Sequence, residues 1–178
     1  TLVQALFLLS AGLGIGGTIG KRIAVTDLPQ TVAAFHALVG LAAVATSVSS
    51  FLSHGDADMF HKLASYFGTF IGGVTFTGSI AAFIKLANIE AQVKQKLKIA
   101  SNASLNLPYA QFLNRPVALG SIALLASFLY SHSMIYGSFS LLTATVASFA
   151  LGWNITYRIG GADMPVAITV LNSYSGWA

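Results

Sequence analysis

The sequence contains no cysteine and very little charge. Without thiols the chain has no disulfide, no thiolate nucleophile and no iron–sulfur ligands. Charged residues make up only 8% of the chain, whereas soluble domains carry roughly 25%. Hydrophobic residues account for 55%. This composition excludes an ordinary soluble domain and indicates an integral membrane protein.

Uncharged stretches are long enough for several membrane-spanning helices, each of which needs roughly 20 residues. The stretch 116–157, at 42 residues, is too long for one span and is predicted to turn back at Ser131-His132-Ser133. We predict an all-α, polytopic transmembrane helix bundle that forms a single domain over 1–178. About six helices are expected, the last one truncated, with a cytoplasmic loop at 87–113: 1–20, 29–53, 62–86, 115–131, 134–157 and 164–178.

Lysine and arginine fall almost entirely on one side of these spans. If the helices alternate in direction, eight of the nine basic residues share one side and only Lys62 lies on the other. Cytoplasmic loops retain positive charge, so the basic side is predicted to be cytoplasmic. The net charge of +4 is therefore explained by membrane topology. Nucleic-acid binding is not predicted, because no basic surface is interleaved with stacking aromatics.

Three predicted helices begin at a repeated tripeptide, in which Asp or Asn is followed by one spacer and a proline. The tripeptides start at Asp27, Asn114 and Asp163. An Asp or Asn side chain can accept hydrogen bonds from the first-turn N–H groups, and proline there has no donor to lose. We expect a capped helix start at each of the three.

The polar segment 87–113 contains apolar residues at helical spacing opposite three lysines. This spacing predicts a short helix over 89–100 on the cytoplasmic membrane surface. A solvated linker with scattered lysines is the alternative.

The glycine-rich run that starts at Gly12 satisfies the dinucleotide-binding pattern GxGxxG. It follows no strand and lies inside a predicted span, so nucleotide binding there is rejected and no cofactor-binding residue is predicted. Small residues four positions apart are instead typical of close helix packing. This spacing occurs at Gly12, Gly16 and Gly20, and again at Gly68 and Gly72.

The four histidines do not predict a metal site. His54, His61 and His132 are expected at the outer edge, while His36 lies in the inner half. We therefore predict no bound metal. The sequence spacing also brings no nucleophile, base and acid together, so it does not predict catalysis on a bound substrate.

His36 lies within the uncharged stretch from Leu28 to Ser53. Ionisable groups at membrane depth are unfavourable and usually mark a proton or ion path. Histidine also exchanges protons near neutral pH. The hypothesis is a proton relay with one titrating station. A core histidine bonded to a carbonyl is the structural alternative.

Polar side chains recur along two of the predicted helices. They can carry a water wire, or they can bond their own helix carbonyls and join neighbouring helices. On the third helix they are Ser65, Thr69, Thr75 and Ser79, and on the last they are Asp163, Thr169 and Asn172.

Several motifs resemble one membrane-enzyme family. The segments Arg158–Pro165 and Leu171–Ala178 resemble the membrane domain, domain II, of the beta subunit of proton-translocating NAD(P)+ transhydrogenases (nicotinamide nucleotide transhydrogenases). The segments Phe35–Ala43 and Phe70–Ser79 agree as well. Together they are spread over nearly the whole chain.

The resemblance implies hydride transfer between NAD(H) and NADP(H), coupled to proton movement across the membrane. It implies that His36 carries the proton, that Asn172 and Ser79 line the path, and that Asp163 couples to the NADP(H)-binding domain. Both nucleotides would bind soluble domains absent from this chain. The family's beta subunit continues past Trp177, so the chain resembles a fragment without a hydride-transfer site.

The implied partners are a transhydrogenase alpha subunit, the NAD(H)- and NADP(H)-binding domains, a second copy of the complex in a homodimer, and the lipid bilayer. The implied location is the bacterial or mitochondrial inner membrane. Two other classes stay open from the residues alone. A proton-coupled secondary transporter or channel would show an inverted repeat with broken helices. A membrane scaffold would tolerate His36→Ala without loss of transport.

Overall fold

Six α-helices make up most of the described chain. The computed structural model describes residues 2–54, 58–89 and 110–177. The helices are α1 (Leu2–Gly20), α2 (Leu28–Ser53), α3 (Met59–Leu86), α4 (Ala110–Tyr130), α5 (Met134–Tyr157) and α6 (Met164–Ser175). Short 3-10 turns at Val25–Asp27 and Gly161–Asp163 precede α2 and α6. Those three ranges contain no strand. The prediction of an all-α bundle with about six helices is confirmed.

Helices α1 to α5 are each long and apolar enough to cross a membrane. Helix α6 has 12 residues and at 1.5 Å per residue measures about 18 Å, which is shorter than the hydrocarbon core. The chain is therefore a multi-pass integral membrane protein.

Helix α3 forms the centre of the bundle. It is the most buried helix and contacts α2, α4, α5 and α6. Small residues allow this crowding: a Cβ on Gly40 of α2 would lie 2.6 Å from the backbone nitrogen of Phe76, and one on Gly152 of α5 would lie 2.4 Å from the carbonyl oxygen of Val74. Helices without side chains at the contact approach closely enough for backbone to meet backbone.

Helix α1 has no buried residue. A Cβ on Gly12, Gly16 or Gly20 would meet no atom within 4 Å. The predicted packing stripe of α1 therefore has no partner among the described residues, and it stays a prediction. Gly72, predicted for the same reason, does lie at a close helix contact, with α2.

The predicted helix caps are wrong in their chemistry. Asp27 and Asp163 do occupy the N-cap positions of α2 and α6, with a proline in the first turn, but neither side chain makes a capping hydrogen bond. Each follows a 3-10 turn and has helical backbone angles, with φ −95° and ψ −2° for Asp27. A capping side chain needs an extended backbone at that residue.

Helix α4 begins earlier than the predicted start at 115 and contains Pro116 in its interior. Asn114 is therefore a helical residue and not a cap. An interior proline removes one hydrogen bond to the preceding turn and its ring crowds the carbonyl four residues earlier, yet the helix runs through Pro116. The predicted surface helix over 89–100 lies, beyond residue 89, outside the described residues.

Two lysines of α3 bind the carboxyl ends of neighbouring helices. Lys62 Nζ donates to the carbonyl oxygen of Ser131 at 2.8 Å, just after α4. At the opposite end, Lys85 Nζ donates to the carbonyl oxygens of Tyr157, the last residue of α5, and of Ile159, the latter at 2.8 Å. A cation at a helix carboxyl end is favourable. We call the end of the bundle with Lys85 the inner end and the end with Lys62 the outer end.

Candidate functional site

His36 and Asn172 meet between α2 and α6. The Nε2 atom of His36 lies 2.7 Å from Oδ1 of Asn172, a residue 136 positions away in the sequence. Its Nδ1 atom lies 3.0 Å from the carbonyl oxygen of Val32, one turn earlier in α2. His36 is half-buried and Asn172 is exposed. Packing of α6 against α2 therefore creates the pair.

The contacts of the imidazole ring define which nitrogen carries a proton. A carbonyl oxygen only accepts hydrogen bonds, so Nδ1 of His36 is the donor to Val32. With Oδ1 of Asn172 facing Nε2, the second nitrogen also donates and the ring is an imidazolium cation. With the amide turned over, its NH2 group would donate to an unprotonated Nε2. The pair can therefore satisfy both protonation states by rotating one amide.

Ser79 of α3 lies at the depth of this pair but is not bonded to it. Its side chain is 1% exposed, and its Oγ has no hydrogen-bond partner among the described residues. Ala82, one turn further along α3, packs in one cluster with Ala33 and Ile168. Ala33 lies one turn before His36 on α2, and Ile168 lies one turn before Asn172 on α6. Because α3 runs in the opposite direction, Ser79, one turn before Ala82, lies at the depth of the pair.

An apolar layer lies between the pair and the inner end. Its side chains are buried and come from α2, α3 and α6: Ala33, Ala82, Met164, Ala167 and Ile168. Phe83, Leu86 and Ile159 pack against it. None of these side chains carries a hydrogen-bond donor. We call the five buried residues the dry layer.

Asp163 lies at the inner end, in the 3-10 turn before α6, with an exposed side chain. It lines a cavity of about 330 Å³ whose other walls are almost entirely apolar side chains of α3, α5 and α6. Asp163 precedes Asn172 by nine residues, which is about 14 Å along the helix. The structure thus brings together His36 and Asn172, places Ser79 at the same depth on α3, and holds Asp163 apart on the far side of the dry layer.

Burial of Lys62 is a feature that sequence reasoning missed. The predicted third helix started at 62, which made this lysine its first residue, whereas its side chain is buried in the structure. In the structure α3 begins at Met59, because the side chain of Asp58 accepts a hydrogen bond from the backbone nitrogen of His61 at 3.1 Å. An aspartate just before an apolar run is a helix-start signal. Applied here, it would have placed Lys62 inside the helix.

Two further histidines, His54 after α2 and His61 on α3, lie at the outer end of the bundle, far from His36. The rings of His54 and His61 are in contact, with centroids 5.3 Å apart. Within residues 2–54, 58–89 and 110–177, no three His, Asp or Glu side chains gather closely enough to hold a metal ion.

These features define a class of protein: a multi-pass helical membrane domain with a histidine–amide pair between two of its helices. Over residues 1–178 the chain matches the family described as NAD(P) transhydrogenase beta subunit. The chain belongs to this family, which confirms the resemblance drawn from its motifs.

Curated relatives agree with this assignment. The NAD(P) transhydrogenase subunit beta of Rhodospirillum rubrum is 37% identical over 188 residues, which cover 99% of this chain and 38% of the relative. A second relative of the same description, from a named strain of that species, gives the same values. The chain therefore spans well under half the length of these relatives.

Proposed function

We propose that this chain is the proton-translocating membrane part of a transhydrogenase, with His36 as the group that carries the proton. The observation that carries the proposal is the contact of both ring nitrogens with oxygen atoms, 2.7 Å to Asn172 and 3.0 Å to Val32. A structural histidine also needs partners for both ring nitrogens, so the distinguishing feature here is the kind of partner that faces Nε2. Two partners, one of them an amide that can donate or accept, suit a group that gains and loses a proton in place.

The proposed cycle follows from the two arrangements of the Asn172 amide. In the loaded state, the imidazolium of His36 donates through both nitrogens. When Nε2 releases its proton, the amide of Asn172 turns over and its NH2 group donates to the vacated lone pair. The Nδ1 bond to Val32 stays in place throughout and holds the ring. When Nε2 takes up a new proton from the other side of the membrane, the amide turns back and accepts again through Oδ1. One full cycle of uptake and release therefore moves one proton and restores both side chains.

Asn172 and Ser79 line the proposed proton path. Asp163 is proposed to couple the path to the NADP(H)-binding domain. Two features support this role: its carboxylate is exposed at the inner end, and it directly precedes α6, the helix that carries Asn172. A displacement of the Gly161–Asp163 turn would therefore be transmitted to the partner of His36 along a single helix.

In the proposed complex, hydride transfer between NAD(H) and NADP(H) takes place on soluble domains and drives proton movement through this chain. An alpha subunit is the proposed partner, the assembled complex is a homodimer, and the location is a bacterial or mitochondrial inner membrane. Family membership supports this assignment. The fraction of the relatives that the chain spans, 38%, leaves room for the nucleotide-binding parts elsewhere in the complex.

The test is proton movement into liposomes that contain the complete complex during NADP(H)-dependent hydride transfer. We expect His36→Ala to abolish pumping and to slow coupled turnover, while assembly and nucleotide binding persist. His132→Ala is the matched control, because this histidine is exposed at the turn between α4 and α5. Normal pumping by His36→Ala would refute the proposal and make the histidine structural.

A further inference from the structure

Most side-chain hydroxyls in the bundle donate to a helix carbonyl, including that of the fully buried Ser148, but a few buried ones do not. On exposed faces, most donate to a carbonyl of their own helix, as Thr18 does to Gly14 at 2.7 Å and Thr143 does to Phe139 at 2.8 Å. This is the usual behaviour of serine and threonine in apolar helices. Four hydroxyls at most 1% exposed have no hydrogen-bond partner among the described residues: Thr69, Thr75, Ser79 and Ser140.

Two of these four, Thr75 and Ser79, lie one turn apart on the same face of α3. At 100° per residue, Thr75, Ser79 and Ala82 point within about 60° of one another. Ala82 packs in the dry layer against side chains of α2 and α6. This face of α3 is therefore turned toward the seam between α2 and α6, where His36 and Asn172 meet.

An unbonded hydroxyl at complete burial is unfavourable, and internal water is its usual partner. Buried water needs several polar groups around it. Ser79 and the polar edge of the His36–Asn172 pair lie at one level of the bundle, and Thr75 lies one turn further outward. Together they supply such a set. The dry layer supplies none, so water in this region has polar surface only on the outer side of that layer.

We propose that Thr75 and Ser79 hold internal water that carries the proton between His36 and the outer end, and that Thr75 is a further residue of the proton path. The inference rests on the proposed function of His36. In each step the water accepts the proton that leaves Nε2, and a hydroxyl accepts one proton while releasing another. Neither hydroxyl is changed by a full transfer, and one proton has moved outward.

The experiment compares four single variants in the complete complex reconstituted into liposomes: Thr75→Val, Thr75→Ser, Thr75→Ala and the control Thr143→Val. Valine keeps the volume of threonine and lacks the hydroxyl. We expect Thr75→Val to slow proton pumping about 100-fold, the lower end of the range for losing a proton-transfer group. Serine should restore most of the rate. Thr143→Val should pump normally, because this hydroxyl is exposed and bonded to its own helix.

The alanine variant separates a water site from a packing role. Alanine leaves space where an additional water can replace the hydroxyl, so Thr75→Ala should pump faster than Thr75→Val. If Thr75 served only to fill space, the order would be reversed, because the smaller side chain leaves the larger cavity. Thermal unfolding of each variant, measured in parallel, shows whether the complexes are intact.

Two results overturn the inference. One is normal pumping by Thr75→Val with unchanged or higher thermal stability, which is expected if the hydroxyl is dry and its replacement by a methyl group is favourable. The other is Thr75→Ala pumping no faster than a slowed Thr75→Val. His36→Ala, measured beside them, separates the two proposals: if that variant pumps normally, the proposed function itself fails.

Discussion

Gly40 of α2 and Gly72 of α3 bring the two helices into backbone contact. A Cβ on Gly40 would lie 2.7 Å from the carbonyl oxygen of Gly72, and a Cβ on Gly72 would lie 2.8 Å from that of Gly40. Both distances are shorter than a carbon and an oxygen can approach without displacement. The contact lies one turn outward from His36 on α2, so it also sets the position of the proposed relay.

Gly72→Ala is expected to destabilise the bundle by about 1–3 kcal/mol, the range for overpacking a close contact. The two atoms nearest to the new Cβ would be the carbonyl oxygen of Gly40 and the Cβ of Ala43. Neither belongs to a flexible side chain, so α2 and α3 must separate. Gly120→Ala is the control, because no atom lies within 4 Å of its Cβ position. Thermal unfolding in detergent measures both. Equal stability of the two variants would show that the α2–α3 contact is loose.

Asn172→Leu is expected to slow coupled proton pumping by about 10–100-fold. A hydrogen bond to a charged group contributes ~1.5–3 kcal/mol, and its loss gives a rate change of this size. Leucine has a similar shape and no polar atom, so Nε2 of His36 loses its partner. Ser173→Ala changes the exposed neighbour on the same helix and should pump normally. Pumping is measured in liposomes with the complete complex. An unaffected rate in Asn172→Leu would remove the amide from the mechanism.

Asp163→Asn is expected to leave the thermal unfolding temperature unchanged, because this side chain makes no capping hydrogen bond. Coupling of pumping to NADP(H)-dependent turnover should fall if the carboxylate acts at the interface with the nucleotide-binding domain. Asp27→Asn is a matched control at the equivalent turn before α2, and it should affect neither property. A loss of stability in both variants, with coupling intact, would restore the simple capping role for these aspartates.

Lys85→Met is expected to loosen the turn between α5 and α6. The Lys85 ammonium holds the carbonyl oxygens of Tyr157 and Ile159 and lies 4.7 Å from the centroid of the Tyr157 ring. Loss of these contacts should cost about 1–2 kcal/mol. Amide hydrogen exchange should accelerate over residues 159–163.

The control for this experiment is Lys21→Met, which changes an exposed lysine after α1. It should leave exchange over residues 159–163 unchanged. Unaltered exchange in Lys85→Met as well would mean that the turn is held by its own backbone.

The number and kind of helices could be predicted from the sequence because the membrane imposes one strong rule. A span must be apolar and long, and charges mark the gaps between spans. Helix starts were less predictable. The tripeptides at Asp27 and Asp163 mark where α2 and α6 begin, but whether the side chain caps depends on backbone angles that the preceding 3-10 turn imposes. At Asn114 the same tripeptide lies inside α4.

The candidate site could be predicted only in part. His36 is conspicuous as an ionisable residue in an apolar run, whereas Asn172 is one amide among several polar residues on α6. Their contact joins positions 136 residues apart and depends on how α6 packs against α2. Hydropathy contains no information on that packing. The family resemblance implied that His36 and Asn172 both belong to the proton path, and the structure shows that their side chains are in contact.

The dry layer also constrains how the two ends of α6 communicate. Asp163 precedes this helix at the inner surface, Asn172 lies about 14 Å further along it, and Met164, Ala167 and Ile168 between them are buried against Ala33 and Ala82. These five buried side chains offer a proton no polar group along that interval. If Asp163 couples to the nucleotide-binding domain as proposed, we expect an event there to reach His36 as a movement of α6, because the dry layer offers no polar side chain for a proton transfer.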